Sequence, residues 1–92
     1  MNGSSKIRRN PDVVARPLAE GEGGVLLHLR TGAYHGINSV GLMIWDRLDG
    51  ERTVDQITAE IRERVADPPP RLSEDVSAFL ASAIARDLVS TE

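Results

Sequence analysis

The spacing of apolar residues changes once along this chain, at Asn38-Ser39, and that change sets the class of fold. Before it, Val25 to Arg30 (VLLHLR) places Val25, Leu27 and Leu29 on one face at the two-residue period of a strand. After it, Gly41, Ile44, Trp45 and Leu48 recur at i, i+3, i+4 and i+7, the apolar stripe of a helix. With 92 residues there is room for one core, which strands and helices must share. Segregated strands and helices read as α+β.

The strands come as a meander. Asp12 to Leu18 (DVVARPL) reads as a strand whose Pro17 confines it to an edge or an end. The glycines of Glu20-Gly-Glu-Gly-Gly24 make a turn, Val25 to Arg30 follows, and Thr31-Gly32 turns the chain into Ala33 to Ile37. A two-residue turn sets His28 opposite His35, Tyr34 opposite Leu29 and Ile37 opposite Leu26. Tyr34 and Ile37 then lie on opposite faces unless a bulge intervenes.

Three helices follow. Asn38 or Ser39 caps the first, and Asp49-Gly50 ends it. Thr53 and Gln56 form a capping-box pattern at the start of the second, which buries Val54, Ile57, Ile61 and Val65. Pro68-Pro69-Pro70 is a stiff connector, and Ser73 caps a third helix with Val76, Phe79, Leu80, Ala83, Ile84 and Leu88 on a broad apolar face. The expected architecture is winged helix-turn-helix-like, a three-stranded antiparallel sheet followed by three helices. Residues 1–11 lack periodicity and read as a disordered tail, leaving 12–90 as the domain.

Most chemistry is excluded by composition. There is no cysteine, hence no thiol nucleophile or thiolate metal site. His28 and His35 alone are too few for a zinc site, and they read as surface residues; no metal and no cofactor is expected. Asp46 with Asp49, and Glu60 with Glu63, are carboxylates one turn apart on solvated faces, so no catalytic residue is assigned and the chain reads as no enzyme. The net charge of −3 and a third helix with Glu74, Asp75 and Asp87 against Arg86 argue against nucleic acid as a partner. With no apolar run of about 18 residues and no apolar signal core, the chain is expected to avoid membranes and stay cytoplasmic.

Two features remain that suit binding. A meander leaves a free strand edge, which accepts an extended peptide through backbone hydrogen bonds. The third helix is apolar over more of its circumference than core packing needs, so a groove between it and a free strand would take the peptide's side chains.

The order Thr31-Gly-Ala-Tyr-His-Gly-Ile-Asn38, Gly41, Ile44-Trp45, Leu48-Asp-Gly50, Thr53-Val54 and Ile57 resembles the PqqD-like family, recognition elements for ribosomally synthesised, post-translationally modified peptides. The third helix, Ser73-Glu-Asp75-Val76-Ser-Ala-Phe79-Leu80 through Asp87-Leu88-Val89, is most similar to the stand-alone proteins of lasso-peptide clusters. The resemblance implies that a precursor's leader peptide adds a strand to the third strand and lies against the third helix. By position, Ala33, Tyr34, His35 and Gly36 would pair with it, and Asp75, Val76, Phe79, Leu80 and Ala83 would line the groove. Implied partners are the leader peptide and the leader peptidase of the same pathway, with the cyclase as a further candidate. A peptide chaperone of pyrroloquinoline quinone biosynthesis is the close alternative, and a winged-helix DNA-binding regulator the distant one.

Overall fold

The computed structural model describes residues 1–91. In chain order it comprises β1 (Lys6–Arg9), β2 (Val13–Pro17), β3 (Gly24–His28), β4 (Tyr34–Ile37), α1 (Ser39–Asp46), β5 (Asp49–Thr53), α2 (Val54–Arg64), α3 (Leu72–Ala85) and β6 (Val89–Thr91). The strands make two antiparallel three-stranded sheets, ordered β2-β3-β4 and β5-β1-β6. The first is the expected meander, with Pro17 at the end of an edge strand. At its first turn Gly23 has φ +75°, and a side chain there would collide with the Ile37 carbonyl.

The second sheet was not legible. Residues 6–9, expected within a disordered tail, instead form its central strand, paired with β5 on one side and β6 on the other. The physical reason is that backbone pairing makes these strands with very few apolar anchors. Ile7 is completely buried in β1, Gly50 is the one buried residue of β5, and Val89 is buried in β6. Accordingly α1 ends at Asp46, and Asp49-Gly50 opens a strand rather than closing a helix. Gly50, at φ +78°, sits where the β1–β5 register slips, and a Cβ there would lie 2.9 Å from Arg8 Nη2.

The helix starts follow the sequence for two helices of three. Asn38 Oδ1 accepts the Gly41 N–H at 2.8 Å. Thr53 Oγ1 accepts from the Gln56 N–H at 3.1 Å while Gln56 Oε1 accepts from the Thr53 N–H at 2.8 Å, which completes the capping box. Ser73, however, caps nothing: α3 begins at Leu72, whose N–H already bonds the Pro69 carbonyl, so the proline turn runs straight into the helix.

The β3–β4 hairpin has a longer loop than the expected Thr31-Gly32. His28 N–H donates to the Ala33 carbonyl at 2.9 Å, and the pairs are Leu27–Tyr34, Leu26–His35, Val25–Gly36 and Gly24–Ile37. Gly32, at φ +77°, supplies the left-handed residue of that loop. His28 and His35 are therefore not opposite each other. The core-facing side also differs from the expected Val25, Leu27 and Leu29: Gly24, Leu26 and His28 are buried, while Leu29 is 59% exposed.

His28 is no surface residue. It is 1% exposed, and its Nε2 lies 3.2 Å from Asp87 Oδ2. Asp87 follows α3 at φ 60°, a left-handed conformation that Asp tolerates better than most residues. Its carboxylate also takes Arg30 Nη2 at 2.6 Å, and its carbonyl accepts from Asn10 Nδ2 at 2.8 Å. One residue thus ties the β1–β2 turn, β3, the hairpin loop and the end of α3 together. The core itself gathers Ile7, Leu26, Ile44, Trp45, Leu48, Ile57, Ile61, Leu72, Val76 and Leu80. Among the described residues no helix is long and apolar enough to cross a membrane.

Two stability predictions follow from these contacts. Asp87→Ala leaves the buried imidazole without its partner and should cost about 1–3 kcal/mol in chemical denaturation, with Asp87→Asn losing less. At β5, the N–H groups of Arg52 and then Glu51 hold the Asp49 carboxyl below the usual carboxylate range. A lowered folded value stabilises above the ordinary carboxylate range and is lost as pH falls through it. The advantage of the parent over Asp49→Asn should therefore be full at neutral pH and fade in acid, read by denaturation at several pH values.

Candidate peptide-binding site

The meander has two free edges, β2 and β4, and their surroundings separate them. Beside β2 lies an open concavity of about 770 Å³ lined by Val13, Trp45 and Leu48 and rimmed by Arg8 and Arg9. Those three apolar residues are already buried, Trp45 being a core anchor at 3% exposure. Beside β4 the chain instead leaves a half-buried aromatic ring. Phe79 lines both a cleft of about 390 Å³, with Asn38, Gly41, Ile44, Pro69 and Asp75, and a smaller one of about 190 Å³, with His35, Ile37, Ser82, Ala83 and Arg86.

β4 presents two different faces to this groove and to solvent. His35 and Ile37 are partly covered on the side of α3, while Tyr34 is 73% exposed on the other side. Tyr34 and Ile37 do lie on opposite faces, as the alternation of the strand requires. The backbone alternates too. Because His28 bonds Ala33, the antiparallel pattern makes Leu26–His35 and Gly24–Ile37 the hydrogen-bonded pairs. The N–H and C=O of Tyr34 and Gly36 consequently point to the outer edge, and those of His35 point inward. A Cβ at Gly36 would meet nothing within 4 Å, so the face of the strand is open at that residue.

The groove exists because three elements converge at Gly41. A Cβ there would stand 3.1 Å from the Phe79 ring and 3.2 Å from Ile37, so α1 approaches β4 and α3 closely enough that any side chain would press on both. On α3, Leu72, Val76, Leu80 and Ala83 face the core. The neighbouring stripe, Asp75, Phe79, Ser82 and Arg86 at i, i+4, i+7 and i+11, faces the clefts.

The residues singled out from sequence are divided by this geometry. Asp75 and Phe79 line the larger cleft, and His35, Gly36, Phe79 and Ala83 the smaller one. Val76 and Leu80 are completely buried: they support the groove from beneath and do not line it. Ala83 is 2% exposed and forms floor, and Ala33 lies at the mouth of the hairpin loop, just before β4. Asn38, Gly41, Pro69, Ser82 and Arg86 were missed. The stripe one step round from the core stripe of α3 was the signal that could have found the last two.

Of the four carboxylates weighed for acid–base work, Glu60 and Asp49 are held in ion pairs. Glu60 meets Arg52 at 2.9 Å and Arg47 at 3.4 Å, and Asp49 meets Arg52 at 2.9 Å. Among the described residues no group of three or more His, Cys, Asp or Glu side chains is placed to hold a metal.

The family model for coenzyme PQQ synthesis protein D (PqqD) matches residues 23–89. The chain belongs to the PqqD family. The matched span runs from the turn before β3 to the start of β6, and so includes β4, α3 and the groove between them. Among solved structures, TbiB1 in complex with the TbiA(beta) leader peptide is similar at a TM-score of 0.74 and 28% identity, covering 90% of this chain and 94% of that one. A lasso peptide synthetase B1 complexed with its leader peptide shares the fold at a TM-score of 0.74 and 19% identity, covering 92% and 98%. The heterocyclase TruD contains the same fold within 12% of its chain, at a TM-score of 0.66 and 17% identity over 96% of this one. No curated protein matches the sequence.

The close approach at Gly41 is open to a direct check. Gly41→Leu should push Phe79 and Ile37 apart and cost about 1–3 kcal/mol of stability in urea or thermal unfolding.

Proposed function

We propose that this protein binds the leader segment of a ribosomally synthesised precursor peptide by adding it as a strand to β4. It then presents the precursor to a separate leader peptidase and to maturation enzymes in the cytoplasm. The observation that carries the reading is a coincidence of place: the free edge of β4, with the backbone groups of Tyr34 and Gly36 turned outward, runs beside the Phe79 groove. Main-chain bonds supply affinity in such an arrangement, and the pockets select alternate side chains. The similarity to TbiB1, whose structure holds a leader peptide, supports the same assignment.

In this reading the protein does no chemistry of its own. Holding the precursor in an extended form raises the local concentration of the cleavable segment at a partner enzyme. The description of the family favours one second reading, a peptide of pyrroloquinoline quinone biosynthesis on the same edge. The two differ in the peptide bound, not in the site. DNA binding gains no support from α3, whose exposed first turn carries Glu74 and Asp75.

Fluorescence anisotropy with the labelled leader of the precursor encoded beside this gene tests the proposal. Saturable binding that changes little with salt is expected. Gly36→Pro should abolish it while leaving thermal stability close to that of the parent, because the lost N–H serves the outer edge and not the pairing with β3. No binding at high micromolar protein, or full binding by Gly36→Pro, would overturn strand addition at β4.

A further inference from the structure

Arg86 flanks the C-terminal end of α3 and donates from Nη1 to Nδ1 of His35 at 2.7 Å. A guanidinium has no acceptor, so Nδ1 must be the accepting nitrogen and the ring proton of a neutral His35 sits on Nε2. What matters for the groove is that, among the described residues, Arg86 has no anionic partner of its own. Arg30 is answered by Asp87 and Asp12, Arg47 and Arg52 by Glu60, and Arg71 by Glu74. Arg86 forms no ion pair among the described residues, and the carboxylate next to it, Asp87, is engaged by His28 and Arg30. An uncompensated positive charge therefore stands in the wall of the smaller cleft, beside Ile37, Phe79, Ala83 and Leu88.

We infer that Arg86 and His35 form a carboxylate-reading subsite, so that the peptide bound along β4 carries an Asp or Glu side chain at this point. The inference rests on strand addition at β4. A residue of an added strand that lies opposite His35 shares its face and turns toward α3. The next residue on that face lies opposite Ile37 and meets Phe79. The recognised pattern is an acidic and an apolar side chain two residues apart. Along α3, Phe79 and Arg86 are seven residues or about 10 Å apart, against about 7 Å for two residues of strand, a difference that a long arginine side chain spans. Fork-like donation to a carboxylate is what a guanidinium does best.

The test uses the whole protein and a displayed library of random peptides of about ten residues, selected against the parent, Arg86→Gln and Arg86→Glu. Binders of the parent should show Asp or Glu at one position, two residues from an apolar one. Arg86→Gln should lose that preference, and an acidic peptide chosen on the parent should bind it about tenfold more weakly. Arg86→Glu should favour Lys or Arg at the same position. Binders without an acidic preference, or with one that both variants retain, would overturn the subsite while leaving strand addition standing. A library that yields no binders, or only binders that Gly36→Pro retains, would remove strand addition and this inference together.

Discussion

The contact between His28 and Asp87 does more to define this fold than its share of surface would suggest. An imidazole taken into the core needs a partner for its polar edge, and for Nε2 that partner, Asp87, lies 59 residues further along the chain. Meeting that need fixes where α3 stops, because Asp87 is the residue that turns the chain out of the helix. It fixes the hairpin loop through Arg30 and the β1–β2 turn through Asn10. Once α3 is held at that end, its outer stripe has a set distance from β4. The groove is what remains between them.

At the other end the groove depends on the absence of a side chain. Gly41 lets α1 settle against Phe79 and Ile37, and the cap by Asn38 places the helix start beside the last residue of β4. The site is thus held by a polar clamp near Arg86 and by close packing near Asp75. Neither the clamp nor the packing requires a residue in the groove to move.

Much of this could be read from residue types. The meander, the three helices, the Asn38 cap and the Thr53–Gln56 box rest on local rules, and local rules operate here without interference. The second sheet could not be read, because β1 and β5 are built almost wholly from charged residues around Ile7 and Gly50, and hydrophobic periodicity is silent there. The face of β3 was misread because a strand reading favours the face with three aliphatic residues, whereas the fold buries Gly24, Leu26 and His28, the last with Nε2 turned to Asp87. At the groove, residue type gave Asp75 and Phe79 but could not separate Phe79 from Val76 and Leu80. That separation is made by which side of α3 the rest of the fold covers, which no single helix encodes.

The place of β1 has a consequence for how the chain comes into being. It precedes both of its neighbours in the chain and occupies the middle of their sheet, with β5 arriving some forty residues later and β6 at about residue 90. During synthesis one edge of β1 stays open until β6 has been made, so closure of this sheet is a late, long-range event. The basic residues Lys6, Arg8 and Arg9 around Ile7 keep that waiting strand from pairing with copies of itself.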